Sequence, residues 1–238
     1  MTKNSTYLKE PLFWLKSILL IGIIGLNNGY YLFPDMVKSI DTYELQVFAY
    51  RISSGLKGFF FYLIPIVLIK YFFDKKEKHI YGLTTKGFDY KPYLYLLLII
   101  TPFIIGASFQ SAFRVQYPFF KAWKFGEIAG LEVWQTTAIY EVLYGISFVF
   151  LEWVFRGALI LGLADFMGKK VMLPMVATYA FLHFGKPLPE TISSIFGGYI
   201  LGVIALYSRS VFGGCLIHIG IAYLMDFSAI IQHFFGQD

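Results

Sequence analysis

Three apolar segments of this chain contain side chains that hydrocarbon tolerates poorly, and their types suit the activation of water. In LEWVFRGALILGLADF, Glu152 and Arg156 are four residues apart, the spacing that places two side chains on one face of a helix. Glu141 lies eleven residues earlier, close to three helical turns, and is expected on the same face. Tyr179 and His183 are likewise one turn apart in VMLPMVATYAFLHF. His218 stands in GGCLIHIGIAYLMD, with Asp226 two turns further on and rotated from it by roughly 80°. A carboxylate and two imidazoles at membrane depth can hold and activate a water. Gly157, Gly185, Gly213 and Gly214 flank these groups and permit close helix approach.

Each feature also has a structural reading. Glu152 and Arg156 can neutralise each other as a buried pair with no chemical task. A single histidine inside a membrane commonly serves as a helix–helix hydrogen bonder. Glu141 falls near an interface, where a solvated carboxylate is expected, and Lys16 can extend to the headgroups without any further role. The conjunction favours function: a charge at the centre of a spanning helix costs about 2.5–3.5 kcal/mol, and such groups recur here on three segments.

The segments that must position them are those of a membrane protein. The chain has 238 residues, of which 57% are hydrophobic, 20% aromatic and only 15% charged. Soluble domains carry about 25% charged residues, so the composition points to an all-α, polytopic membrane helix bundle. One cysteine, Cys215, excludes a disulfide framework and any CxxC motif. The net charge of +5 sits at the ends of apolar runs, which suits contact with headgroups in a lipid bilayer and not nucleic acid.

About seven transmembrane helices are expected in one integral-membrane domain covering 1–238. The runs are about Pro11 to Phe33, Gly58 to Phe73 with Pro65 inside it, Leu94 to Phe109, and about Ala138 to Phe166. Three more follow: Val171 to Phe184, Thr191 to about Tyr207, and Val211 to about Ile231. Gln110 to Gln135 mixes charges with Phe and Trp and reads as an interfacial, partly helical stretch. Lys3, Lys9, the Lys75–Lys91 loop, Lys169–Lys170 and Arg209 fall on one side when the spans are counted alternately. That bias predicts a multi-pass protein of the cell membrane with its N-terminus in the cytoplasm. The first run has no small-residue cleavage site after it and reads as a retained helix.

Between about 140 and 227, the motifs resemble those of the CPBP family of intramembrane endopeptidases, the CAAX proteases and bacteriocin-processing enzymes formerly called Abi. The resemblance rests on Glu152-Trp-Val-Phe-Arg156-Gly157, Tyr179-Ala-Phe-Leu-His183, and His218 in the last span. The family pattern is Glu-Glu-x-x-x-Arg, Phe-x-x-x-His and His-x-x-x-Asn on successive helices. Leu151 stands in place of the first glutamate and Ala222 in place of the asparagine. The chain is closest to a single-glutamate branch, through His183-Phe-Gly-Lys186-Pro-Leu-Pro-Glu190 and Met225-Asp226.

The resemblance implies a glutamic-type intramembrane endopeptidase acting on a membrane-associated protein or peptide. Glu152, His183 and His218 would be its catalytic residues, with Arg156, Tyr179, Glu190 and Asp226 supporting them. No metal or other cofactor is expected. A minority reading takes one glutamate and two histidines as zinc ligands. The alternative function is that of a catalytically lapsed relative, which would bind membrane peptides or proteins as a chaperone or immunity factor. The losses at Leu151 and Ala222 favour the lapsed relative, and the intact Glu152, His183 and His218 favour the peptidase.

Overall fold

Long apolar runs become helices because hydrocarbon leaves backbone N–H and C=O groups no partner outside the segment itself. A computed structural model of the chain describes residues 7–29, 37–75, 79–86, 88–186 and 188–236. Lys3, the end of the expected first span beyond residue 29, Lys76 and Lys78, Pro187 and the last two residues lie outside the described residues.

Helix α1 spans Pro11–Gly29, α2 Tyr43–Phe73, α3 Lys91–Ser108 and the short α4 Ser111–Gln116. Helix α5, Val133–Glu152, runs on through a wider π-helical segment, Trp153–Leu161, into α6, Gly162–Met167. A 3-10 turn, Gly168–Val171, leads to α7, Met172–Phe181, and then come α8, Leu188–Ser208, and α9, Phe212–Phe235. Five helical runs are long and apolar enough to cross a membrane. One of them, Val133–Phe181, has 49 residues and holds both the fourth and the fifth expected spans. Pro11–Asn27 is a shorter apolar helix. No strand occurs among the described residues, and the protein is an all-α membrane bundle.

Two expected boundaries are corrected. The second span begins not at Gly58 but at Tyr43, so α2 is 31 residues long. It carries a π turn, Phe59–Leu63, one residue short of Pro65. Proline has no N–H for the preceding turn, and a local change of hydrogen-bond spacing accommodates that loss. The fifth span ends at Phe181, so His183 lies in the turn that follows it and not on the helix.

The chain folds as two compact units. The first comprises Met1–Asn28, Phe59–Asp89 and Phe150–Cys215. Within it, α8 packs on α7 and on the π-helical segment. A Cβ at Gly202 would meet Met175 at 2.7 Å and Ile160 at 2.9 Å, so a glycine is what lets these elements approach. The turn at Ile80, Tyr81 and Gly82 has positive φ throughout. It presses into the same segment: Trp153 Nε1 donates to the Ile80 carbonyl at 2.7 Å, and a Cβ at Gly157 would lie 2.5 Å from the Tyr81 oxygen.

Lys16 departs from expectation. It is only 2% exposed, and its ammonium donates to Asp74 and, at 2.5 Å, to the Gly162 carbonyl. Tyr81 donates to the same Asp74 at 3.0 Å. Lys16 is thus an internal tie between segments distant in sequence, and burial with a carboxylate partner outweighs the entropy that favours snorkelling.

The second unit comprises Gly29–Gly58, Tyr90–Val149 and Leu216–Asp238. Its core contains Phe48, Phe120, Ala122, Ile128 and Tyr140. Tyr223 donates to the Glu141 carbonyl at 2.8 Å, joining α9 to α5.

Candidate functional site

Glu152 is the last residue of α5, where the helix widens, and Arg156 lies inside the π-helical segment. The widening is visible at its end, where the Gly162 N–H reaches the Gly157 carbonyl five residues back. Single π turns inside α-helices are common at functional sites, because the extra residue re-aims side chains. Arg156 Nη1 stands 2.9 Å from Glu152 Oε1, and both side chains are fully enclosed. The spacing expected from sequence therefore survives in the wider helix. A buried pair of this kind is held by mutual neutralisation, and removing one partner strands the other charge.

The guanidinium lies over the Tyr179 ring, 4.4 Å from its centroid. The Tyr179 ring in turn contacts the His183 ring, with centroids 4.6 Å apart. Glu152, Arg156, Tyr179 and His183 thus form one continuous chain of contacts within the first unit. His183 Nδ1 is 2.9 Å from the Tyr179 carbonyl oxygen. A carbonyl can only accept, so Nδ1 carries a proton. The turn that carries His183 is held by Thr191, whose hydroxyl donates to the His183 carbonyl at 2.8 Å. Glu190 is paired with Lys186 at 2.5 Å, at the first turn of α8.

His218 and Asp226 belong to the second unit. The His218 ring packs against Phe148 with centroids 4.3 Å apart. Asp226 is fully buried. Glu141 is corrected: it is 7% exposed and enclosed, not solvated at an interface. Among the described residues, no three His, Cys, Asp or Glu side chains group as ligands for one metal ion.

Gly214, expected from sequence to permit close helix approach, is a wall of this site. A Cβ there would fall on Glu152 Oε2. The carboxylate is pinned on its other side by Arg156, so it can make room only by leaving the pair. Gly214→Ala is expected to lower stability by about 1–3 kcal/mol, the usual cost of overpacking. A thermal-unfolding assay in detergent checks this, and an unchanged midpoint would show that Glu152 moves freely.

Residues 133–224 match a family model described as type II CAAX prenyl endopeptidase Rce1-like. The matched stretch contains Glu152, Arg156, Tyr179, His183, Glu190 and His218, while Asp226 lies just beyond it. No curated protein and no solved structure gives a significant match. Residues 133–224, which carry the motifs in their expected order, are similar to the CAAX protease family of membrane endopeptidases.

Proposed function

We propose that the protein is a glutamic-type intramembrane endopeptidase cleaving a membrane-associated peptide or protein. The observation that carries this reading is the enclosed Glu152–Arg156 pair, linked through Tyr179 to His183. In the reaction, Glu152 takes a proton from the attacking water, and His183 Nε2 helps to hold that water and to pass the proton on to the departing amine. Water oxygen bonds to the scissile carbonyl carbon, the carbonyl oxygen becomes an oxyanion, and the C–N bond then breaks. The family resemblance gives His218 the role of stabilising the oxyanion. Arg156 orients Glu152 and Tyr179 orients His183. The family name points to prenylated C-terminal peptides as the first substrates to try.

A second reading has its own observation. Glu152 and Arg156 are both wholly enclosed, as a purely structural pair would be, and Leu151 and Ala222 remove two expected polar groups. On that reading the protein is a non-catalytic relative that binds membrane peptides.

For orientation, we place the N-terminus and the loop between α2 and α3 in the cytoplasm, following the lysine bias. Single cysteines at His79→Cys or Lys86→Cys in a Cys215→Ala background should react with an impermeant maleimide only after the cells are permeabilised. Ready labelling of intact cells would reverse the orientation.

A further inference from the structure

Ile80, Tyr81 and Gly82 form a turn with φ of 46°, 56° and 85°, a region that a β-branched or aromatic side chain enters only at a cost. Such a conformation persists where its surroundings hold it, and it clusters where a fold has a task for it. The turn is closed by the Leu83 N–H, which donates to the His79 carbonyl at 2.9 Å. Its backbone grips the π-helical segment at the residue that follows each member of the Glu152–Arg156 pair. The Ile80 carbonyl accepts from Trp153 Nε1 at 2.7 Å, and the Tyr81 carbonyl fills the space beside Gly157, 2.5 Å from where a Cβ would stand. The Gly82 carbonyl accepts from the Val211 N–H at 3.1 Å, and the Thr84 carbonyl from the Ser210 hydroxyl at 2.8 Å. The Val211 carbonyl in turn accepts from the Cys215 N–H at 3.0 Å, next to Gly214. One turn thus holds both the segment that carries the pair and the wall against Glu152.

A second set of contacts locks the turn. Tyr81, fully enclosed, donates to Asp74, Lys16 donates to the same carboxylate, and Lys16 also donates to the Gly162 carbonyl just past the π-helical segment. Apolar residues of similar volume often stabilise a fold as well as a buried ion pair does, so stability alone does not account for Lys16 and Asp74. We propose, building on the peptidase reading above, that this turn is the positioning element of the site. Trp153 and Tyr81 fix the backbone that carries Glu152 and Arg156, and Lys16 and Asp74 keep the turn in its costly conformation. All four act through Glu152 and have no contact with the scissile bond in the proposed reaction.

The test uses the full chain in lipid vesicles, well below its thermal midpoint, with two readouts: cleavage of a membrane-anchored peptide, and modification of Cys215 by N-ethylmaleimide. Cys215 is the chain's only cysteine and is 6% exposed. Trp153→Phe keeps a ring but loses the donor. It should lower kcat at least about tenfold with KM within about twofold, since a misplacement of about 1 Å can cost about a hundredfold. It should also speed Cys215 modification at least about fivefold, the low end for leaving a buried partner unsatisfied. Tyr81→Phe, the loss of one hydroxyl, should move both readouts in the same direction and covers the case in which the Trp153 variant does not fold. Trp134→Phe, at an exposed position outside the site, should leave both unchanged. A role confined to stability would lower the thermal midpoint without separating kcat from KM. Unchanged kcat or unchanged Cys215 reactivity in a folded Trp153 or Tyr81 variant would overturn the proposal. A wild-type protein that cleaves nothing would instead overturn the peptidase reading, and the Cys215 rates would still decide whether the turn holds the site.

Discussion

Glu152→Gln is expected to lower the rate of peptide cleavage by about 10²–10⁴ while the protein still accumulates in the membrane. Glutamine keeps the size of the side chain and its carbonyl, so Arg156 retains an acceptor at the position where Nη1 now lies 2.9 Å away. What disappears is the capacity to take a proton from water. The substitution acts on folding in the same way under either reading, so the initial rate with a verified substrate, taken on folded protein, separates the peptidase from the lapsed relative. A Glu152→Gln protein that cleaves at the original rate removes Glu152 from the mechanism.

Arg156→Ala has the largest expected effect on stability, a loss of about 3–5 kcal/mol. Two causes act together. The Glu152 carboxylate would be left without its guanidinium in a fully enclosed site, and the Tyr179 ring would lose the planar group stacked 4.4 Å from its centroid. Arg156→Lys should recover only part of this, since a lysine ammonium can approach the carboxylate but lacks the flat fork that also covers the ring. Chemical denaturation followed by tryptophan fluorescence measures the difference. Equal stability of the alanine and wild-type proteins would mean that solvent reaches the pair.

The local part of this site is legible in sequence because it is made of short spacings. Glu152 and Arg156, and Tyr179 and His183, are each four residues apart, and each couple meets in the folded chain. What escapes is anything set by distant partners. Lys16 reads as a snorkelling residue until Asp74 and Gly162, 58 and 146 residues away, close over it. Glu141 reads as interfacial until α9 brings Tyr223 and Asp226 alongside. The first half of α2 escapes for another reason: Glu44, Gln46, Arg51 and Lys57 lower its hydropathy, so the apolar signal begins only near Gly58. The early end of α7 has a signal in Gly185 and Pro187, two breakers that stop the helix before His183. The π-helical widening has none, because WVFRGALIL suits either helix.

The most direct test of the central claim is cleavage itself. The purified wild-type protein in lipid vesicles is incubated with a panel of membrane-anchored peptides, beginning with farnesylated C-terminal sequences, and the products are identified by mass spectrometry. The account predicts a defined new carboxyl terminus that forms with wild-type protein and is reduced at least about a hundredfold with Glu152→Gln. Saturable binding of the same peptides with no cleavage product from wild-type protein would contradict it and identify the chain as a non-catalytic relative of these proteases.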